Sequence, residues 1–329
     1  MKLLFVFTGG TIGSTLGEQY IATDRNKPYK LLECYRQKYG IDFDYDIKEP
    51  YCSLSENNTG ETLSALMKAV VEQLDKRYDG IVVTHGTDTL QYSAAALGYA
   101  CGNNCMPVVL VSANHPIEHP FSNGLDHLRA AICWIAEKRG RGVFVAYRNP
   151  GERTKIHRAT RLNISLAYSD SNESVQKLHV GEYDSEWNYY PNELFSEQLD
   201  DLLPFGAVLL SEQAESILRI EPYPGMVYSA ITERTQYVLH GSYHSGTVNT
   251  AAPSAQKFFK EAKEKGIPVF LSGITKGISY DSTSLYRQLN LIPLYGLAPI
   301  AAFMKLWMTV SLGKNPMDLI GRSLGGDLF

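Results

Sequence analysis

Two stretches of this chain each run a short apolar strand into a turn built of glycine, threonine and small polar residues. Gly80-Ile81-Val82-Val83 leads into Thr84-His85-Gly86-Thr87-Asp88-Thr89-Leu90, after which Gln91 to Ala100 continues as a small-residue, helix-like run. Near the start, Lys2 to Phe7 leads into Thr8-Gly9-Gly10-Thr11-Ile12-Gly13-Ser14. Apolar runs of this length without alternation are the pattern of strands buried on both faces, as parallel strands are. In an open parallel sheet, ligands are held at the turns that follow the carboxyl ends of the strands. Glycine lets the backbone come close to a ligand, and adjacent hydroxyls beside a carboxylate make a polar pocket. The same Thr and Asp would also serve as ordinary helix caps, so the second turn alone decides nothing.

Together the two turns resemble the paired signatures of the bacterial-type asparaginase and glutaminase-asparaginase family: TGGTIGS behind one strand, and GIVVTHGTDTL from Gly80 to Leu90. The resemblance implies an α/β fold, with a larger N-terminal doubly wound, mainly parallel sheet domain and a smaller C-terminal parallel α/β domain. It implies conversion of L-asparagine to L-aspartate and ammonia through a threonine acyl-enzyme, with glutaminase as a side activity and no cofactor. Carried over position by position, it makes Thr11 the nucleophile and Tyr20 its partner on a lid. Thr87, Asp88 and Lys155 form a second catalytic group, in which Lys155 is expected buried beside the Thr-Asp pair with its pKa lowered by desolvation. Asp88 and Thr87 also contact the substrate, as do Ser55 and Glu56; Glu56 stands where several members have glutamine. Taken by itself, Lys155 in its polar loop reads as a solvated charge.

Length and composition bound the alternatives. A chain of 329 residues suggests two domains. A loosened, polar stretch divides it into residues 1–185, a linker 186–203 and residues 204–329. With 31 basic and 35 acidic residues the net charge is -4, so no basic field invites nucleic acid, and the expected partner is a small molecule, L-asparagine. No apolar run approaches the roughly 20 residues of a membrane helix. A strand begins at Lys2, which leaves no room for a leader, so a cytoplasmic location is expected. Five cysteines without a CxxC pair fit reduced thiols. His115, Glu118 and His119 hint at a metal, but Pro116 and Pro120 break the helix that would align them, and none is expected.

Thr15 to Lys30 reads as an extended loop, Leu31 to Tyr39 and Glu61 to Lys76 as helices, and Ala207 to Leu210 as the first strand of the second domain. Ser254 reads as the cap of a helix to Lys265. Within the second domain, His240 to Thr247 resembles the family's glycine-rich loop, with Ser245 where an asparagine lent to a neighbouring subunit is usual. A homodimer or homotetramer is expected from the resemblance. Two other readings remain open: an amidotransferase subunit supplying ammonia for tRNA-linked amide synthesis, and a non-catalytic amino-acid sensor.

Overall fold

The computed structural model describes residues 1–10, 12, 14–16, 21–23, 27–103, 105–210, 212–277 and 279–329. The strands are β1 (Lys2–Phe7), β2 (Ser14–Leu16), β3 (Ile21–Thr23), β4 (Asp44–Lys48), β5 (Gly80–Thr84), β6 (Val108–Val111), β7 (Val143–Arg148), β8 (Thr154–Arg158), β9 (Gly181–Tyr183) and β10 (Tyr189–Pro191), followed by β11 (Ile217–Ile220), β12 (Tyr237–His240), β13 (Val269–Ile274) and β14 (Leu291–Tyr295). The helices are α1 (Lys27–Tyr39), α2 (Gly60–Val71), α3 (Leu90–Cys101), α4 (Gly124–Ala136), α5 (Pro253–Glu264), α6 (Asp281–Ser284), α7 (Pro299–Ser311) and α8 (Pro316–Leu319).

The larger sheet has eight strands in the order β10-β9-β8-β7-β6-β5-β1-β4. From β4 to β7 every pairing is parallel, and β8, β9 and β10 are added antiparallel. Its central strands are fully buried, which is why they read as unbroken valine, isoleucine and leucine runs. Helices α1 and α4 cover one face; α2, α3 and α7 cover the other. The chain passes from β1 to β4 on one side and then to β5 on the other. The crevice beyond the carboxyl ends of β1 and β5 is therefore the switch point where such sheets hold ligands.

A second, four-stranded parallel sheet, β11-β12-β13-β14, carries α5 on one face. On its other face lies α7, whose Phe303, Met304 and Trp307 share one continuous core with Leu97 and Tyr99 of α3 and with Leu239 and Phe270 of the small sheet. The apolar surface of α7 is thus buried between the two sheets. The C-terminal segment returns to seal this junction: Arg161 donates to the carbonyls of Ser196, Gly326 and Leu328, and Thr160 to that of Gly325.

Several sequence expectations shift. The stretch read as an extended loop contains the antiparallel pair β2 and β3, and α1 begins at Lys27 rather than Leu31. Helix α2 ends at Val71, with turns continuing to Lys76. The segment from Ala207 to Leu210 is not a strand. Leu210 packs into the shared core while its amide donates to Ser64 Oγ of α2 at 2.8 Å, so its backbone is satisfied without a sheet neighbour. Helix α5 begins at Pro253 behind Ala252, whose side chain makes no cap bond, so Ser254 lies inside it. β10 extends the larger sheet into residues read as linker, and the edge strand β14, which tolerates Pro293, was not expected.

Candidate active site

Three loops meet at the switch point: the turn after β1, the loop of residues 51–59, and the turn after β5. Past the end of β1, Thr8 Oγ1 donates to Thr84 O at 2.7 Å. The Ser53 amide donates to Thr8 O at 3.1 Å, and the Gly10 amide to Ser53 O at 3.0 Å. Gly10 adopts φ +75°, and a Cβ there would lie 2.3 Å from the Gly86 nitrogen. A Cβ on Gly86 would lie 2.5 Å from Ser55 Oγ. The two glycines therefore permit a backbone-to-backbone approach that any side chain would block.

Ser55 and Asp88 form the polar floor of this junction. The buried Ser55 hydroxyl donates to Asp88 Oδ2 at 3.2 Å and accepts from the Asp88 amide at 3.2 Å. Thr89 Oγ1 donates to Ser55 O at 2.9 Å and accepts from Asn58 Nδ2 at 3.1 Å. Asn58 Nδ2 also reaches His85 Nε2 at 3.2 Å, and Ser93 Oγ lies 2.7 Å from the same nitrogen. Since His85 Nδ1 faces Gly86 O at 2.7 Å, the ring proton belongs on Nδ1, and Nε2 is the acceptor. Burial pushes the His85 pKa down to about 4, so the ring is neutral and acts as a fixed brace.

The residues singled out in the sequence fare differently. Ser55, Thr87 and Asp88 come together at the switch point, Ser55 buried, Thr87 half-buried and Asp88 exposed to an incoming ligand. Glu56 is exposed on the short turn Ser55–Asn57 next to them. Thr11 and Tyr20 lie outside the described residues. Lys155 departs from expectation: it sits on strand β8, not in a loop, and its ammonium is taken by Glu152 Oε2 at 2.5 Å and Glu173 Oε1 at 3.1 Å. Burial alone would lower its pKa, but the hydrogen bonds to Glu152 and Glu173 outweigh burial and leave it raised. A lysine held protonated between two carboxylates is not the low-pKa base that the resemblance implied. Among the described residues no lysine or arginine forms an ion pair with Asp88.

Asn58, His85, Thr89 and Ser93 were not singled out as site residues, although they hold the turn in shape. Thr89 and His85 lie inside the second signature, and Asn58 and Thr59 both precede a helix start where either reads as a cap. The cap of α2 is Thr59, in a reciprocal pair with Thr62, which leaves Asn58 free to brace the turn. The rings of His115 and His119 lie 4.4 Å apart, centroid to centroid, tilted by 33°. Among the described residues no cluster of histidine, cysteine, aspartate and glutamate is placed to hold a metal, and no helix is long and apolar enough to cross a membrane.

Known proteins share both sequence and fold with this chain. Residues 2–193 match the family model described as "Asparaginase, N-terminal". The chain is 25% identical to a glutamyl-tRNA(Gln) amidotransferase subunit from Pyrobaculum aerophilum, over 97% of its own length and 78% of that protein. It is 38% identical to the L-asparaginase of Thermococcus kodakarensis, over 45% of the chain and 44% of the relative. In structure it resembles the thermostable L-asparaginase from Thermococcus kodakarensis, with a TM-score of 0.80 at 22% identity, covering 100% of this chain and 99% of the other. It also resembles L-asparaginase I from Vibrio cholerae, with a TM-score of 0.77 at 20% identity, covering 100% and 99%. At such identities the structural likeness speaks for the fold alone.

Proposed function

The chain belongs to the asparaginase family, and from that premise we propose that it hydrolyses the side-chain amide of L-asparagine to L-aspartate and ammonia, with L-glutamine as a slower substrate. The observation that carries this reading is the Ser55–Asp88 pair: an exposed carboxylate, held in place through its own amide and by a buried hydroxyl, with no described basic side chain to neutralise it. Such a group suits the α-ammonium of an amino acid, while neighbouring backbone amides, joined by the Ser55 hydroxyl once its proton turns from Asp88 Oδ2 on binding, suit its carboxylate. A carboxamide is a poor electrophile, so the reaction needs a nucleophile, a proton for departing ammonia and donors for the oxyanion. We assign the nucleophile to Thr11, with Tyr20 as its partner, and a hydroxyl role beside the scissile amide to Thr87. Lys155, charged and spoken for, is left out of proton transfer. Assembly as a homodimer or homotetramer is part of the same proposal.

A second reading shares the chemistry. Identity to the amidotransferase subunit along nearly the whole chain favours release of ammonia to a partner protein rather than to solvent. The test is ammonia release by purified protein with L-asparagine, L-glutamine and D-asparagine, using Thr87→Val and Thr11→Val as controls. Release from L-asparagine that both variants lose supports the hydrolase. Release that prefers L-glutamine and rises when a partner protein is added favours the amidotransferase. No release from folded protein by any route would leave only amino-acid sensing.

A further inference from the structure

After β8 the chain forms a loop over residues 162–174 whose neck is closed twice: Leu162 bridges Ser174, and the Asn163 amide donates to Glu173 O at 2.9 Å. Its side chains divide by chemistry. Ile164, Leu166 and Tyr168 are exposed, while Asn172 is buried and Ser165 faces polar partners. Asn172 donates its amide to Asn149 Oδ1 at 2.9 Å, and Asn149 Nδ2 reaches Glu173 Oε1 at 2.6 Å and Glu152 Oε2 at 3.1 Å. Those two glutamates are the ones that hold Lys155. At the other end, Ser165 Oγ lies 3.3 Å from Asn172 Oδ1 and 3.4 Å from Gln91 Oε1. Gln91, 2% exposed in the first turn of α3, then donates through Nε2 to Asp88 O at 3.3 Å.

The first turn of α3 passes over that carbonyl. Leu90 donates to Thr87 O, and Tyr92 and Ser93 both donate to Thr89 O, so Asp88 O takes the Gln91 amide instead. A buried primary amide is costly unless both its ends are bonded, and here the two ends are bonded to two different structures. We propose that Gln91 is a positioning residue for substrate binding: it clamps the Asp88–Thr89 peptide to the 162–174 loop, so that the loop and the ammonium-binding carboxylate keep one fixed geometry. Lys155 with its two glutamates anchors the far end of the same polar chain. The proposal rests on the assignment of Asp88 to the ammonium of an amino-acid amide.

The test uses Gln91→Met, which keeps length and bulk but breaks both bonds, and Ser165→Ala, which breaks the loop bond from the other side on a partly exposed residue. Each is expected to raise KM for the amide substrate about five- to ten-fold, with kcat within about two-fold and the pH profile unmoved. The KM of the double variant should fall short of the product of the two single effects, because both substitutions break the Ser165–Gln91 link, although Ser165→Ala also removes the contact with Asn172 Oδ1. Amide hydrogen exchange in residues 162–174 should quicken in Gln91→Met while the exchange of β5 and β6 holds. KM unchanged in both variants, or effects that multiply in the double, would overturn the proposal. If wild-type protein released no ammonia, the hydrolase reading would fail on its own, and the clamp would be judged by hydrogen exchange: unaltered protection of the loop in Gln91→Met would refute it.

Discussion

The ion pair between Lys305 on α7 and Asp327 in the C-terminal segment offers a strong test of how the two sheets are joined. Both side chains are fully buried, with Lys305 Nζ 2.8 Å from Asp327 Oδ2. The carboxylate also accepts from Tyr99 Oη at 3.0 Å and from the Leu324 amide at 3.0 Å, while the ammonium's other partner is the Arg322 carbonyl. Breaking a buried pair by removing one partner costs about 3–5 kcal/mol, because the survivor is left charged and out of water. The two halves should not cost the same. In Asp327→Asn the ammonium keeps a carbonyl and the amide oxygen, so nothing cancels its charge, and a loss near the upper end, about 4–5 kcal/mol, is expected. In Lys305→Met the carboxylate keeps two hydrogen-bond donors, and a loss of about 3 kcal/mol is expected. With unfolding entropy of about 2.1 cal/mol/K per residue over 329 residues, 4 kcal/mol corresponds to a fall in Tm of roughly 6 °C. Lys305→Met/Asp327→Asn should recover most of the deficit, since neither charge is then stranded. The assay is urea unfolding of the wild type, both single variants and the double, followed by far-ultraviolet circular dichroism and by tryptophan fluorescence, which Trp307 on α7 reports. A loss under about 1 kcal/mol in Asp327→Asn, or a double variant as unstable as the sum of the singles, would refute the reasoning.

Three other outcomes follow from the structure. Gly10→Ala should abolish ammonia release and cost about 2–4 kcal/mol, combining a left-handed backbone penalty with a clash against the Gly86 backbone; Gly40→Ala, at the same φ of +75° with nothing within 4 Å, should cost about 1 kcal/mol and leave activity intact. Burial holds His85 and His127 at pKa values of about 4 and His157 well below its ordinary range. The unfolded chain therefore binds more protons than the native one between about pH 6.5 and 4, so stability should fall as pH drops through that window, by on the order of 3 kcal/mol for each of the first two, and a urea midpoint flat from pH 7 to 4.5 would contradict this. Asp88→Asn should raise KM for asparagine at least about ten-fold with little change in Tm, because the carboxylate is exposed and its loss removes a charge-assisted contact to substrate without leaving a buried group unpaired; an unchanged KM would remove Asp88 from ammonium binding.

The legible parts of this protein were those fixed by local chemistry. Val82 and Val108 to Val111 can only be buried strands, because unbroken apolar runs of that length have no face to give to water. Gly9, Gly10 and Gly86 announced close approach of backbones, and Ser55, Thr87 and Asp88 lay in turns at strand ends, where a parallel sheet gathers its polar groups. What lay beyond the sequence depended on partners distant along the chain. Lys155 could be read as a buried base because Glu173, one of the two glutamates that keep it charged, reaches it only once β8 and the 162–174 loop are folded together, while nothing in the sequence shows that Glu152, three residues before it, turns back onto the same ammonium. Leu210 was expected in a strand because its apolar neighbours suggest one, yet a single hydroxyl, Ser64, satisfies its amide and frees the segment to pack as irregular chain. Gln91 read only as the start of a helical run, and tertiary structure placed the 162–174 loop against it. Sequence alone determined which segments must be buried and which turns must be polar, since both follow from transfer of side chains out of water and from backbone sterics. Tertiary structure decided the charge states and the pairings, since Coulomb attraction and hydrogen bonds act between neighbours in space, whatever their separation along the chain.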